Sequence, residues 1–244
     1  MASRPSSGER DETLEGVTHV FFDVGGTLLA PVPGPAEIFR RALERRGHIL
    51  DRGTISKALR SPELIVTLIR PMTSALEPEF FRSVNARLME QLGLNVDTAT
   101  LDDIHATFER DVVYRPYPEA VRTLKVLKNR GYATGVISNF SHRLPVILRD
   151  AGLASYLDTV TYSFEAGAEK PNPRIFHSAL ARAGTTPDRV LMVGDSYEAD
   201  YLGARHAGLH AVLLCRGGSP PNPCPCIQSL DGLTGLLRDP GSPE

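Results

Sequence analysis

No stretch of this 244-residue chain is apolar for long enough to span a bilayer, and its opening MASRPSSGERDETLE lacks the apolar segment of a secretory signal. Charge of one sign is equally scarce: 27 Lys and Arg face 29 Asp and Glu, a formal net charge of −2. That balance argues against a strongly basic surface for nucleic acid or for a membrane. Cysteine numbers only three, an odd count with no disulfide framework. Cys224 and Cys226 form CPC in a proline-rich segment with no histidine after them, and they read as surface-loop thiols, not metal ligands. These absences lead us to expect a cytoplasmic protein whose partner is a small molecule.

What the chain does contain is an ordinary globular balance, 41% hydrophobic and 23% charged residues, in a length that fits one large domain or a core with an inserted unit. HVFFD near the start, then YATGVISN, LDTVTYS, RVLMVGD and HAVLLC, read as buried strands. Helical patterns separate the later ones: PEAVRTLKVLKNRG with Val121, Leu124 and Leu127 on one face, HRLPVILRDAG with Pro145 in its first turn, NPRIFHSALARAG, and EADYLGARHAG. A last helix is predicted over SLDGLTGLL, and GGSPPNPCPC as a loop. The alternation predicts an α/β fold, a doubly wound, mainly parallel sheet with helices on both faces.

Between about residues 34 and 115 the alternation stops, and helical periods take over. One carries Ile38, Phe39, Ala42 and Leu43; a second Phe80, Phe81, Val84, Leu88 and Leu92; a third Leu101, Ile104, Phe108 and Val112. The expected organisation is a mobile tail over 1–16, an α/β core over 17–33 and 116–239, and an inserted helical cap over 34–115. Pro31, Pro33, Gly34 and Pro35 at one junction, and Pro116 and Pro118 at the other, read as hinges or rigid crossovers.

Open parallel sheets bind ligands beyond the carboxyl ends of their strands. Four segments there carry polar residues in order: Asp23 and Thr27, then Ser138 and Asn139, then Lys170 in EKPNP, then Asp195 and Asp200 in GDSYEAD. Alone, an aspartate after a strand is an ordinary cap or turn former. The ordered set, DVGGTLL, ISN, KPNP and GDSYEAD, resembles the haloacid dehalogenase superfamily over about residues 17–215, including the place of an inserted helical (C1-type) cap.

The resemblance implies a Rossmann-like core, and in most members a magnesium-dependent phosphatase. Asp23 would be the nucleophile, and a carboxylate can form an acyl phosphate that divides hydrolysis into two steps. Asp23, the backbone carbonyl of Gly25 and Asp195 would hold Mg²⁺, which prefers oxygen ligands. Lys170 would neutralise phosphoryl oxygens and Ser138 would donate a hydrogen bond to them. Asp200 would orient Lys170 or a metal-bound water. Asn139 either shapes its loop or sets its amide near the phosphate, and Thr27 fixes the turn behind Asp23 through its hydroxyl.

Gly25 departs from the pattern. Most phosphatases of the family carry a second aspartate there as general acid and base, help worth roughly 10²–10⁴ in rate. Three resolutions stand open: an activated leaving group, a proton donor from the cap such as His48, His105 or Glu109, or a protein that binds a ligand or partner with little turnover. Dehalogenases and phosphonatases of the family also lack this aspartate, the latter using a cap lysine. Lys57 is the lysine of this cap and reads as solvent-exposed, whereas Asp195 suits a cation better than a halide.

Overall fold

Side-chain alternation decides how this sheet is covered. In β1 (His19–Phe22) Val20 and Phe22 enter one hydrophobic cluster and Phe21 the opposite one; in β6 (Val190–Gly194) Leu191 and Val193 part from Val190 and Met192 in the same way. The sheet is therefore buried on both faces, as a parallel sheet must be. Its order is β5-β4-β1-β6-β7-β8, with β4 at Ala133–Ser138, β5 at Thr159–Tyr162, β7 at His210–Leu214 and β8 at Cys226–Ile227, every pairing parallel. The computed structural model describes residues 14–59, 61, 77–238 and 240.

Helices α5 (Ala120–Asn129) and α6 (Leu144–Asp150) close one face with Leu124, Leu127, Leu144 and Leu148. Helix α8 (Pro173–Ala183) closes the other with Ile175, Phe176, Ala179 and Leu180. Its start is well determined: the Asn172 side chain caps the Arg174 N–H, Pro173 occupies the first turn, and Gly184 ends the helix in a left-handed conformation. A short helix, α7 (Ser163–Ala166), follows β5.

The insertion between β1 and β4 has its own core. Helices α1 (Pro35–Arg45), α2 (Arg52–Ala58), α3 (Glu77–Gln91) and α4 (Thr98–Asp111) pack Phe39, Leu43, Ile55, Leu88 and Ile104 together. Asp51 and Asp97 cap α2 and α4 by accepting from the Thr54 and Thr100 N–H groups. The Phe80 and Glu109 side chains lie outside the described residues. Among the described residues, no helix is long and apolar enough to cross a membrane.

Several local expectations give way. The proline-marked junctions form an antiparallel ribbon, β2 (Leu29–Val32) against β3 (Val113–Pro116), with Leu29 opposite Pro116 and Val32 opposite Val113. Pro31 and Pro116 are tolerated because each strand of a two-stranded ribbon has a free edge where no N–H is needed. The segment after Asp195 is not a plain α-helix: it opens as a π-turn over Tyr197–Leu202, Ser196 O accepting from both Asp200 N and Tyr201 N, before α9 (Gly203–His206). The last predicted helix shrinks to a 3₁₀ turn and α10 (Leu233–Leu236), where Gly232 and Gly235 lower helix propensity. Cys226 sits in β8 instead of a loop, exposed, and Cys215, Cys224 and Cys226 are all free. Leu14, inside the expected tail, is hydrogen-bonded to Leu236 and bridged to Leu237; residues 1–13 are outside the described set.

Gly203 lets α9 approach both the Phe176 ring and Pro171 closely enough that a Cβ there would crowd them. Phe176→Ala leaves a cavity in a fully buried site. Urea denaturation is expected to show a loss of about 3–5 kcal/mol.

Candidate active site

Strand β1 is the centre of the sheet, flanked by β4 and β6, so the loops after these three strands gather at one end. Asp23 still belongs to the sheet by its backbone, its N–H donating to Val193 O at 2.9 Å. The chain then turns, and the N–H groups of Leu28 and Leu29 both donate to Val24 O. The Asp23 side chain faces the crowded end of the sheet and the residue is only 8% exposed.

Two sequence-distant groups bond to it. Ser138, the last residue of β4, donates from Oγ to Asp23 Oδ1 at 2.9 Å. Lys170 Nζ donates to the same oxygen at 2.7 Å and to Asp200 Oδ1 at 2.5 Å. Lys170 is 3% exposed and Asp200 2%, so this ion pairing is buried. Asp200 also accepts the Ser196 N–H on Oδ2 at 2.9 Å, a bond the π-turn makes available. Oxygens of Asp23, Asp195 and Asp200 lie within 4.8 Å of one another.

Asn139 does something more specific than the sequence expressed. Its Oδ1 accepts the Lys170 N–H at 2.7 Å, and its Nδ2 donates to Lys170 O at 3.0 Å. The amide therefore clamps the backbone of Lys170, beside the cis Lys170–Pro171 bond, and aims the ammonium into the site. Thr27 corrects its expectation: its hydroxyl is buried without a hydrogen-bond partner, and its carbonyl, not its Oγ1, is what the turn uses, accepting from Arg216.

The electrostatics are those of excess negative charge. Three carboxylates face one ammonium. Desolvation by its neighbours pushes the Asp195 carboxyl up to about 7, with the Asp23 and Asp200 charges adding to it, although the residue as a whole is exposed. Burial likewise raises Asp200 to about 6, with Lys170 opposing the rise. Burial alone would lower Lys170; the adjacent Asp200 and Asp23 charges outweigh it and raise it. An all-oxygen donor set with uncompensated charge suits a hard divalent cation. With Asp23, Asp195 and Asp200 already close, the donor chemistry fits Mg²⁺.

Two glycines make the crowding possible. Gly26 has φ +78, and a Cβ there would fall inside the Asp195 carboxylate. A Cβ on Gly194 would collide with the Asp200 carboxyl. Gly25 is different: an added Cβ meets nothing within 4 Å, and its φ is not in the left-handed region. The side chain missing at position 25 is not missing for want of room.

His48 and His105, two of the proton donors expected from the cap, and the cap lysine Lys57 all belong to the helical insertion. His105 stacks on Phe81 with ring centroids 4.6 Å apart, Lys57 is exposed on α2, and His48 is half-buried after α1. Among the described residues no hydrogen bond or ion pair joins them to Asp23. Arg216 was not legible as a site residue at all: it follows β7 without a motif, yet its guanidinium reaches the carbonyls of Gly26 and Thr27.

Known proteins share this arrangement of chain. A glyceraldehyde 3-phosphate phosphatase of Methanothermobacter thermautotrophicus is 33% identical over 196 residues, 80% of this chain and 84% of its own. A zebrafish (Danio rerio) haloacid dehalogenase-like hydrolase domain-containing protein 3 is 30% identical over 91% of this chain and 97% of its own. A phosphoserine phosphatase of Thermus thermophilus is 40% identical over a shorter span, 45% of each chain. Among solved structures, a magnesium-bound hydrolase from Bacillus subtilis superposes with a TM-score of 0.72 over 91% of this chain and 98% of its own, at 21% identity, a likeness of fold. The family signature of the haloacid dehalogenase-like hydrolases matches residues 17–208. With the six-stranded parallel sheet and the helical insertion between β1 and β4, this chain belongs to the haloacid dehalogenase-like hydrolases.

Proposed function

We propose that the protein is a Mg²⁺-dependent phosphohydrolase acting on a small phosphorylated metabolite through a phosphoryl-Asp23 intermediate. The observation that carries this reading is the meeting of Asp23 Oδ1 with Lys170 Nζ at 2.7 Å beside two further carboxylates. The phosphatase names of relatives at 33% and 40% identity support it.

In this reading Asp23 attacks phosphorus in line, and Lys170 and Ser138, now both on Asp23 Oδ1, are placed to donate to phosphoryl oxygens as well. Asp200 keeps Lys170 charged and aimed, and Asn139 holds its backbone. Asp23, Asp195 and the Gly25 carbonyl would hold Mg²⁺, which when bound offsets the repulsion between a carboxylate and an anionic phosphate. Residues 34–115 form the cap, which closes over the substrate and excludes water. Water then releases phosphate from Asp23. Because Gly25 offers neither acid nor base, leaving groups that need no proton, such as acyl or aryl phosphates, are favoured. The same glycine favours a second reading, a ligand-binding family member with slow turnover.

Turnover of an activated phosphate should require Mg²⁺ and fall by at least ~10³-fold in Asp23→Asn. Without a base for the second step, phosphoenzyme should accumulate: intact-mass analysis of acid-quenched wild type with acetyl phosphate should find one phosphoryl group on Asp23. Turnover without that adduct contradicts the mechanism, and silence toward every phosphate favours the second reading.

Gly25→Asp should raise activity on alkyl phosphates by about 10-fold or more, since its Cβ has space. A folded, Mg²⁺-binding variant without gain points to another proton donor. Affinity for Mg²⁺ should also rise with pH. Asp195 and Asp200, raised to about 7 and about 6, hold protons in acid that the cation must displace, and lose them as pH climbs. Calorimetry at about pH 5.5 and about pH 8 should show tighter binding at the higher value and proton release on binding. Equal affinity at both would contradict the assigned ligands.

A further inference from the structure

Resting on the metal-dependent reading above, we propose that Arg216 is a positioning residue that holds the loop bearing the Gly25 carbonyl and so sets how tightly the site binds its cation. Arg216 lies just beyond β7, 190 positions along the chain from Gly26, yet all three guanidinium nitrogens work on the loop or its support. Nε donates to Gly26 O at 3.1 Å and Nη2 to Thr27 O at 3.0 Å. Nη1 pairs with Glu119 Oε1 at 2.5 Å, just before α5. The guanidinium lies over the Tyr117 ring, 3.6 Å from its centroid.

Each contact constrains the next. Glu119 is buried, so its charge needs this partner, and the stack on Tyr117 removes the remaining freedom of the guanidinium plane. A planar fork held in this way fixes two successive carbonyls. The Gly25 carbonyl shares its planar peptide with the Gly26 N–H, which donates to Leu29 O at 3.0 Å, and holding Gly26 O and Thr27 O on the other side of the Gly26 Cα limits how far that plane can swing. Gly26 is also the residue whose Cα packs against the Asp195 carboxylate. A shift of this turn would therefore disturb two of the three expected cation ligands together.

Other supports for the turn are backbone ones: Gly26 N to Leu29 O at 3.0 Å, and Leu28 and Leu29 N to Val24 O. The Thr27 hydroxyl contributes no bond to it. Arg216 is thus the side chain that fixes the carbonyl side of the loop. It touches no reacting atom. Lysine could keep the charge opposite Glu119 but could not span both carbonyls while stacking on Tyr117.

The test measures Mg²⁺ binding to the whole protein by calorimetry, with no substrate present, in wild type, Arg216→Lys, Arg216→Ala and Leu148→Ala. Residues standing behind metal ligands typically change affinity by ~10–100-fold when altered, and a loss of at least ~10-fold is expected in both Arg216 variants. Guanidinium ion at millimolar concentration should restore part of the loss in Arg216→Ala and none in Arg216→Lys, whose side chain fills the space. Leu148→Ala, which leaves a cavity under α6, a helix that supplies no group to the site, should bind Mg²⁺ as wild type does, which separates positioning from general loss of stability. If Arg216→Ala does not fold, Arg216→Lys decides alone. Wild-type affinity in the Arg216 variants, or an equal loss in Leu148→Ala, overturns the proposal while leaving the metal-dependent reading intact. Absence of Mg²⁺ binding in wild type overturns both.

Discussion

The buried bridge from Asp23 through Lys170 to Asp200 is the constraint on which the rest of this end of the molecule depends. A lysine ammonium and two carboxylates withdrawn from water are costly to bury unless they are well paired. Here one ammonium serves both, at 2.7 and 2.5 Å, and the Ser138 hydroxyl and Ser196 N–H take up further oxygens. The pairing joins the loops after β1 and β6 to the segment that carries Lys170 between β5 and α8. Asn139 adds the loop after β4 by clasping the Lys170 backbone. Four loops are thus joined to one another by polar contacts above the apolar core.

The same bridge leaves charge unbalanced. Asp195 stands beside the pair, and desolvation, with the Asp23 and Asp200 charges adding to it, displaces its carboxyl upward. Such a cluster trades stability for function: it is uncomfortable as it stands and gains when a cation or a proton arrives. Gly26 and Gly194 permit the crowding, because any side chain at either would occupy the space of a carboxylate. Gly25, with room beside it, is a change of chemistry and not a packing requirement.

The core strands and helices were legible because their signals are local: Val20 and Phe22 against Phe21, and the apolar faces of α5 and α8, follow period 2 and period 3.6. Asp23, Ser138, Lys170, Asp195 and Asp200 were legible as an ordered set, since strand ends in a parallel sheet converge whatever the loops do. The β2–β3 ribbon was not, because Pro31 and Pro116 signal a break unless the partner strand is known. Nor was the π-turn, which one extra hydrogen bond at Ser196 O creates. Arg216 and Glu119 were invisible for a related reason: their meaning lies in contacts across 97 positions or more of chain, and no spacing announces them.

The proposed chemistry requires that Asp23, Asp195 and the Gly25 carbonyl share one cation beside Lys170. Anomalous diffraction from crystals soaked in Mn²⁺ tests it most directly. The account predicts a single strong peak about 2.0–2.3 Å from an oxygen of each of those three groups. A peak elsewhere, or none at this site in crystals that bind Mn²⁺ on another surface, would contradict it.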